Sequence, residues 1–327
     1  MTEKIGIIVG WEDSFPAAFI AKINETPGYQ AEIAKIGATY AEGWASPYRV
    51  LVDRLSHEVP HYRFHLKAAA LAGTFVINDP FWWSADEKFF GYSLAAKIGV
   101  AVPRTVLLPQ KSYRPSIDPN RSLRNLEYPL DWEKITSYVK FPAILKPADG
   151  GGWKNVSRVN SMDELMRDYD ASGELVLTLQ EFIDFDEYIR CICVGKDFIL
   201  PIKYDPRQRC YVEADKFMSA TLENRVMEDA RAINHALGYD MNSVEFAVRD
   251  GVPYAIDFTN PAPDMDVRAI LPRYFHVVVD QMARFCMNAA REGRKNDVKY
   301  AFRSYLDAES NGVASSAFSS ATLSTRG

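Results

Sequence analysis

The sequence predicts an open α/β region followed by a longer α+β region. Over residues 1–83, short apolar runs alternate with helical patterns, which is typical of a sheet whose strands are connected by helices. From residue 141 onward, strand-like runs follow one another closely. A hairpin is predicted over residues 243–259, because alternating runs flank the turn sequence "RDG". A chain of 327 residues is long enough for several such units.

The first region is predicted to hold short strands and two helices. The strands cover residues 4–10, 31–37, 50–57 and 74–79, and the helices cover residues 14–26 and 62–73. Ser14 is a candidate N-cap, since a serine hydroxyl can accept a hydrogen bond from an amide of the first turn. Gly73 ends the second helix, because glycine readily adopts the left-handed backbone of a helix C-terminus.

A well-marked helix and an insertion separate the two regions. The helix covers residues 84–99, where Ser84 and Glu87 have the spacing of a capping box. A short strand follows within residues 100–109. Residues 110–135 are polar and rich in proline and arginine. They are predicted to form a long loop or insertion with one helical turn.

The second region is predicted to combine strands with three helices. The strands lie within residues 141–147, 175–183, 188–205 and 243–259, and the helices cover residues 161–172, 219–238 and 273–293. Ser161 and Glu164 form a second capping box. Residues 301–327 end in a serine-rich stretch without periodicity, and this tail is predicted to be disordered.

Composition and charge exclude several classes of function. Hydrophobic residues make up 47% of the chain and charged residues 25%, which is typical of a globular protein. The net charge of −5 predicts no basic surface for a nucleic acid. No apolar run approaches the roughly 18 to 20 residues of a membrane helix, and the first apolar segment is too short for a signal peptide. We therefore expect a cytoplasmic protein that binds neither nucleic acid nor membrane.

The number and spacing of the cysteines and histidines favour structural roles for these residues. Four cysteines are too few for a disulfide scaffold. Cys191 and Cys193 alternate along a strand-like run, so we expect both to face one side and pack in the core. His57, His61 and His65 recur every four residues, but a proline interrupts the start of the helix that would align them. Ordinary helix and loop positions are favoured for them over a metal site.

A lysine at the end of an apolar run precedes a glycine-rich loop. In "AILKPADGGGWKNV", Lys146 is followed by Gly150, Gly151 and Gly152. The ammonium group can bind a phosphate oxygen, and glycine N–H groups can close over the others. The segment lacks the Gly-Lys-Ser/Thr sequence of a P-loop. A glycine-rich hairpin turn with an incidental lysine is the alternative.

Two carboxylates lie at opposite ends of the predicted hairpin. Glu245 begins one strand and Asp257 ends its partner, so the hairpin brings them to the same edge. Asn260 follows within three residues. Carboxylate and amide oxygens are suitable ligands for Mg²⁺. The alternative is a hairpin that carries acids near its ends without a site.

Another apolar strand ends in an acidic run, "LTLQEFIDFDEY". Gln180 and Glu181 end the strand, and Asp184, Asp186 and Glu187 follow. Main-chain groups at such a strand end can pair with the edge of a base, and a carboxylate can accept hydrogen bonds from ribose hydroxyls. A solvated acidic turn is the alternative.

In this order, the motifs resemble the ATP-grasp superfamily of carboxylate–amine ligases over roughly residues 1–290. The pair Glu87-Lys88 stands where the family often has Asp-Lys, before the lysine with its glycine loop, the acidic strand end and the acidic hairpin. The segment "EYIRCICVG" is similar to a strand of the glutathione-synthetase-like and ribosomal-protein-modifying glutamate ligases. The resemblance is carried by the order and spacing of these motifs together.

The resemblance implies the ATP-grasp fold, in which two α+β subdomains sandwich ATP behind an N-terminal open α/β domain. The N-terminal domain would cover residues 1–83. A central lid subdomain would cover residues 84–187 and include the insertion 110–135. The C-terminal subdomain, with the metal hairpin, would cover residues 188–300.

The resemblance also implies a set of ATP contacts. Lysines would bind the α- and β-phosphates, a glycine lid would cover the triphosphate, main-chain groups would hold adenine and an acid would bind ribose. In that order, the residues are Lys88 and Lys146, then Gly150, Gly151 and Gly152, then the Glu181 carbonyl and the Ile183 N–H with Gln180 nearby, and finally Glu187.

Metal-binding and catalytic roles follow from the same resemblance. One or two Mg²⁺ ions, with Mn²⁺ as a substitute, would be held by Glu245, Asp257 and Asn260. Lys203 lies where family members often have a cation for the γ-phosphate. Arg190, on the same sheet, would face the acyl phosphate or a substrate carboxylate.

The hairpin departs from the family in one respect. The family has one residue between the second carboxylate and the asparagine, whereas Phe258 and Thr259 separate Asp257 from Asn260 here. Either a bulge brings Asn260 inward, or Thr259 takes part in the site.

The implied activity is a two-step ligation. ATP would phosphorylate a carboxylate, and an amine would then attack the acyl phosphate and release phosphate. The partners would be a small-molecule carboxylate and amine, or a peptide terminus.

Candidate substrate contacts beside the cleft are Arg54, His57, Asp264 and Arg268. A kinase of the same fold that acts on a small-molecule hydroxyl and a non-catalytic nucleotide-binding module are the alternatives. The sequence leaves open whether the protein is a homodimer.

Overall fold

The computed structural model describes residues 2–41, 45–81, 87–149 and 154–296. Within these ranges the strands form three sheets. The predicted succession of an open α/β region and a longer α+β region is confirmed. Some of the predicted features fall outside the described residues, namely Ser84, Gly150, Gly151, Gly152 and the tail 301–327.

The first sheet is parallel and has the strand order β2-β1-β3-β4. Its strands are β1 (Glu3–Ile8), β2 (Tyr29–Ile33), β3 (Val50–Asp53) and β4 (Phe75–Ile77), and its helices are α1 (Ser14–Asn24) and α2 (Pro60–Leu71). On α1, Phe15, Phe19 and Ile23 are completely buried. Burial of these side chains holds α1 on the sheet, as the apolar pattern of the helix predicts.

The second sheet is antiparallel and has the order β5-β8-β6-β7. Its strands are β5 (Thr105–Leu108), β6 (Ala143–Pro147), β7 (Ser157–Val159) and β8 (Leu177–Glu181), and the helices of this part are α3 (Lys88–Lys97), α4 (Pro119–Ser122), α5 (Trp132–Val139) and α6 (Met162–Asp170). Ser161 caps α6 by accepting a hydrogen bond from the Glu164 N–H at 3.3 Å, as predicted. The insertion is more ordered than predicted, because it contains α4 and the start of α5, whose apolar side packs against this sheet.

The third sheet is antiparallel and has the order β11-β10-β9-β12-β13. Its strands are β9 (Glu187–Val194), β10 (Phe198–Asp205), β11 (Cys210–Val212), β12 (Met241–Arg249) and β13 (Val252–Asp257), and the helices of this part are α7 (Ala220–Leu237), α8 (Val267–Ile270) and α9 (Pro272–Glu292). Almost all of β12 is buried, because packed side chains cover both of its faces. The predicted hairpin of β12 and β13 is confirmed, whereas β11 was not predicted.

The register of the third sheet separates two faces. Arg190 on β9 lies opposite Glu245 on β12, whereas Ile189 lies opposite Lys203 on β10 and Phe246 on β12. Directly opposite residues of antiparallel strands point to the same side of a sheet. We call the side with Arg190 and Glu245 the acid face. The side with Ile189 and Phe246, on which α7 packs, is the helix face.

The first turn of α1 is capped from a distant part of the chain. The carboxylate of Asp266 accepts hydrogen bonds from the N–H of Phe15 at 2.9 Å and of Asp13 at 3.1 Å. The hydroxyl of Ser14 accepts one from the N–H of Val267, the first residue of α8, at 2.9 Å. Contrary to the prediction, Ser14 does not cap its own helix, but forms a reciprocal cap with α8.

Two of the cysteines and one of the histidines singled out in the sequence are buried in structural positions. Cys191 and Cys193 are buried on the helix face, as predicted. His57 precedes α2, whereas His65 is buried within α2, with its Nδ1 2.7 Å from the Thr39 hydroxyl. Among the described residues, no cluster of three His, Cys, Asp or Glu side chains could hold a metal ion. In the same parts of the chain, no helix combines the length and apolar character needed to cross a membrane.

Candidate active site

A β-bulge brings the two predicted acids together. Glu245 on β12 pairs with Asp257 on β13, although the register of the rest of the hairpin would place Ile256 there. Ile256 is therefore the extra residue of the bulge. Regular pairing would instead put Asp257 opposite Val244, on the helix face. The bulge thus transfers the Asp257 carboxylate to the acid face, beside Glu245.

Lys88, the first residue of α3, directs its ammonium group at Asp257. Its Nζ lies 3.0 Å from Asp257 Oδ1, and the Lys88 side chain is only 7% exposed. Desolvation raises the pKa of the Asp257 carboxyl, but the positive charges of Lys88 and Lys146 outweigh this effect and hold the pKa below its usual range. Asp257 is therefore a carboxylate at neutral pH.

Lys146, near the end of β6, reaches the bulge from the second sheet. Its Nζ donates hydrogen bonds to the Tyr92 hydroxyl at 2.7 Å, to Gln180 Oε1 at 2.9 Å and to the Ile256 carbonyl at 3.1 Å. Desolvation lowers the pKa of Lys146, and the carboxylates of the hairpin oppose that effect. All three N–H groups of this buried ammonium therefore have oxygen partners in the protein.

Tyr92 belongs to the site, although none of the sequence motifs includes it. Its hydroxyl accepts a hydrogen bond from Lys146 and donates one to the Ile256 carbonyl. Desolvation raises the pKa of this hydroxyl, so it remains protonated. The signal in the sequence is its spacing: Tyr92 lies four residues after Lys88, on the same side of α3.

Arg190 and Glu245 form an ion pair on the acid face. Glu245 also accepts a hydrogen bond from the Tyr188 hydroxyl. The guanidinium carbon of Arg190 lies 4.0 Å from the centroid of the Tyr204 ring and 5.6 Å from that of Tyr211. Desolvation lowers the pKa of Arg190, but the charge of Glu245 outweighs it and the pKa is raised. The pair therefore fixes a permanent cation against aromatic rings, next to the acids.

Lys203 and Glu187 do not join this cluster. The Nζ of Lys203 is 3.0 Å from Oε2 of Glu187, and both residues lie on the helix face. Lys203 is opposite Ile189, and Glu187 is opposite Val248, which packs in the same buried cluster. The register therefore turns both side chains away from the acids, and the phosphate and ribose roles that the resemblance implies for them stay predictions.

Glu181 links the second sheet to the third. Its carboxylate accepts hydrogen bonds from Arg104 Nε at 2.9 Å and from Arg249 Nη1 at 3.2 Å. Desolvation raises the pKa of Glu181, but the two guanidinium groups hold it below its usual range. Ile183 is buried next to this junction. The adenine contacts that the resemblance implies use main-chain groups, so the ion pairs of the Glu181 side chain leave those contacts possible.

Asn260 and Thr259 occupy different surroundings. The Nδ2 of Asn260 donates a hydrogen bond to Ser243 Oγ at 3.0 Å. Ser243 shares the acid face with Glu245, because the two residues are two positions apart on β12. The Oγ1 of Thr259 is buried and has no hydrogen-bond partner in the described part of the chain.

Arg54, a predicted substrate contact, has a structural position. It is 4% exposed, its Nε donates to Glu12 Oε2 at 2.8 Å, and its guanidinium also donates to the Pro263 carbonyl. It therefore ties the loop after β1 to the loop before α8. An arginine whose donors are committed in this way fixes the Glu12 carboxylate and is itself shielded from solutes.

The other predicted substrate contacts are more accessible. His57 lines a small cleft of about 30 Å³ between the first sheet and the end of α7. Asp264 accepts a hydrogen bond from the Asp266 N–H at 3.0 Å, and Arg268 is exposed on α8. Of the predicted set, His57 therefore combines exposure with a concave surface.

The fold matches solved structures over most of the chain. A D-alanine–D-alanine ligase from Bacillus anthracis, complexed with ATP, superposes with a TM-score of 0.63 at 16% sequence identity, and the match covers 90% of this chain and 100% of that one. A RimK domain ATP-grasp protein from Sphaerobacter thermophilus superposes with a TM-score of 0.62 at 15% identity, covering 87% and 99% of the two chains.

The sequence match is shorter. A D-alanine–D-alanine ligase from Ralstonia nicotianae is 24% identical over an alignment of 164 residues, and the match covers 43% of this chain and 49% of the relative. The match therefore spans about half the length of that curated relative. No protein-family model matches the chain. On the structural comparisons, the chain has the ATP-grasp fold, as the order of its motifs predicts.

Proposed function

We propose that the protein is an ATP-dependent carboxylate–amine ligase, which forms an amide or peptide bond through an acyl phosphate and releases ADP and phosphate. The observation that carries this proposal is the convergence of Lys88 and Lys146 on the bulged hairpin, where Glu245 and Asp257 share one face. Two cations beside two carboxylates suit a metal-bound triphosphate, whose transferring phosphoryl group is stabilised by charge rather than by covalent catalysis. The ATP-grasp fold supports the same conclusion.

Nucleotide binding would exchange the partners of the two lysines. Lys146 has three oxygen partners inside the protein, and a phosphate oxygen would replace one of them. Lys88 would turn from Asp257 to the phosphates and leave the carboxylate for the metal ion. Tyr92 would hold the Lys146 ammonium in place during this exchange, because its hydroxyl is anchored on the Ile256 carbonyl.

The acid face fits a magnesium ion, which we propose as the partner of ATP. Glu245, Asp257 and Asn260 offer carboxylate and amide oxygens, the type of ligand that Mg²⁺ and Mn²⁺ prefer. When bound, the ion would neutralise charge on the phosphoryl group. Arg190, held by Glu245 and Tyr204, would face the acyl phosphate or the substrate carboxylate.

The names of similar proteins direct the search for substrates. Two of them are D-alanine–D-alanine ligases. Amino acids of both configurations and peptide termini are therefore the first candidates for the carboxylate and for the amine.

The experiment is to measure ADP and inorganic phosphate in parallel, with Mg-ATP and with pooled carboxylates crossed against pooled amines. Equal release of ADP and phosphate that requires both pools is the expected result. ADP without phosphate would identify a kinase. A protein that binds ATP but turns over nothing in any pool, including peptides, would favour the non-catalytic module.

Lys146→Ala is the first variant to make. Loss of this cation from a preorganised phosphate site is expected to reduce ATP turnover by about a hundredfold or more. Lys111→Ala is the matched control, because Lys111 is exposed and its ammonium group contacts the surface carboxylate of Asp170 and the Tyr169 ring, on a part of the second sheet away from the lysines of the site. Turnover at the wild-type rate in a folded Lys146→Ala protein would contradict the phosphate role.

A further inference from the structure

The main chain of residues 258–260, which follow β13, is hydrogen-bonded to a side chain. In a regular sheet, a neighbouring strand would make these hydrogen bonds. Asn242 Nδ2 donates a hydrogen bond to the Phe258 carbonyl at 2.9 Å, and the Asn260 N–H donates to Asn242 Oδ1 at 3.1 Å. A carbonyl and the N–H two residues later are the pair of groups that a parallel neighbouring strand bonds. The amide of Asn242 therefore takes the place of a strand and spans Thr259.

The side chain of Asn242 is itself held in place by its surroundings. It is completely buried, and its Nδ2 also donates to Asn234 Oδ1 on α7 at 3.0 Å. A buried amide whose donor and acceptor groups are all bonded has little freedom to move. The position of the Phe258 carbonyl and the Asn260 N–H is therefore set by the helix face of β12.

Ser243 holds the same segment from the other face. Ser243 is 1% exposed, and its hydroxyl accepts the hydrogen bond from Asn260 Nδ2 at 3.0 Å. This contact uses the nitrogen of the Asn260 amide, so the Oδ1 oxygen is left for another partner. Because Ser243 and Glu245 are two positions apart on one face, that oxygen is held on the side of the acids.

Thr259 is directed elsewhere. Its Cγ2 would lie 3.4 Å from a Cβ added to Gly91, so the threonine packs against α3 where that helix has no side chain. Its hydroxyl is buried without a partner within the described residues. The additional residue between Asp257 and Asn260 is thus accommodated by displacing Thr259 towards α3, while Asn260 stays on the acid face.

We propose that Asn242 and Ser243 are positioning residues of the metal site, which set Asn260, and not Thr259, as its third oxygen ligand. The inference rests on the proposed function, since the metal is expected together with the nucleotide. Neither Asn242 nor Ser243 is among the site residues that the resemblance implies, and their hydrogen bonds favour Asn260 over Thr259. Residues that orient a ligand in this way are commonly as important to metal affinity as the ligand itself.

The test is a titration of the protein with Mn²⁺ in the presence of ADP, with bound Mn²⁺ measured by electron paramagnetic resonance. Ser243→Ala is expected to weaken Mn²⁺ binding about tenfold, the lower end of the effect of losing a group that orients a ligand. ADP affinity without metal is expected to stay at the wild-type value. Ser243→Thr keeps the hydroxyl and is expected to restore most of the Mn²⁺ affinity.

Two further variants separate positioning from a general loss of structure. In an Asn260→Ala background, Ser243→Ala is expected to have no further effect, because Ser243 acts through Asn260. Thr259→Val removes the rival hydroxyl while keeping its shape, and Mn²⁺ affinity is expected to be unchanged. Since Asn260 is partly exposed, its replacement leaves the core intact even if Ser243→Ala reduces stability.

The outcomes distinguish this inference from the proposed function. Wild-type Mn²⁺ affinity in Ser243→Ala, or weaker binding in Thr259→Val, would overturn the assignment of Asn260 while the metal site stands. Additive losses in the double variant would show that Ser243 does not act through Asn260 and would also overturn it. A wild-type protein that binds neither ADP nor Mn²⁺ would overturn the proposed function, and the inference with it.

Discussion

The Arg190–Glu245 pair and the Lys203–Glu187 pair lie on opposite faces of the third sheet. The side chains of the first pair are 18% and 10% exposed, and those of the second are 35% and 31% exposed. The first pair also has a tyrosine ring stacked on its cation and a tyrosine hydroxyl bonded to its anion. Burial and extra contacts therefore turn one ion pair into a fixed part of the site, whereas water screens the other.

The largest contrast is expected when the buried pair is broken. Glu245→Gln keeps the size of the side chain but leaves the Arg190 cation without its counter-charge in a desolvated place. We expect the free energy of unfolding to fall by about 3 kcal/mol, as for other buried pairs that lose one partner. Urea denaturation followed by circular dichroism measures this. A loss below about 1 kcal/mol is typical of exposed ion pairs. It would show that the Arg190–Glu245 pair contributes no more to stability than the Lys203–Glu187 pair.

A smaller effect is expected from the ring beside Arg190. Tyr204→Leu removes the aromatic face at 4.0 Å from the guanidinium carbon. The loss of a partly desolvated cation–π contact is expected to cost about 1 to 2 kcal/mol in the free energy of unfolding. Tyr204→Phe retains the ring and serves as the control. Equal losses in both variants would assign the effect to the hydroxyl and not to the ring.

The acid face should also show a distinct dependence on pH. The pKa of Asp257 in the folded protein lies below its unfolded value, so the ionised carboxylate stabilises the fold above the unfolded pKa of about 3.9. That contribution is lost as the pH falls through the folded pKa. The difference in unfolding free energy between wild type and Asp257→Asn is therefore expected to shrink below about pH 4. Urea denaturation of both proteins over an acidic pH series measures it, and a constant difference would contradict the role of the lysines.

The smallest effect is expected on the helix face. Lys203→Ala should lower the free energy of unfolding by less than about 1 kcal/mol, because both members of its pair are partly hydrated. Sodium chloride at about 1 M should remove the difference, since the screening length is then only about 3 Å. Thermal unfolding at low and high salt checks this. A larger loss that resists salt would give Lys203 a role beyond its pair with Glu187.

The sequence predicts the sheets and the edge where the acids meet, but not the face on which each side chain lies. Strand period alone relates Glu245 to Ser243, whereas the relation of Lys203 to Arg190 depends on the register set by the turn between β9 and β10. The bulge at Ile256 is likewise not predicted, because it depends on how β12 pairs with β13 and not on the residues of either strand alone.

Contacts between distant segments account for the remaining differences. Ser14 has the sequence of a cap, but its helix is capped by Asp266, which no local pattern could reveal. Whether Thr259 or Asn260 is directed at the acids depends on Asn242, which lies on β12, the strand next to β13. The place of Tyr92 in the site could have been predicted from the sequence, because its spacing from Lys88 on one helix is a local feature.

The reciprocal cap between α1 and α8 has a consequence for the order in which the protein is made. Phe15 emerges from the ribosome about 250 residues before the carboxylate that accepts its N–H. N-terminal regions generally fold first during synthesis, so if α1 forms early, its first amides are bonded to water. Only the later arrival of α8 replaces that water. One of the first helices to be translated is thus one of the last to be completed.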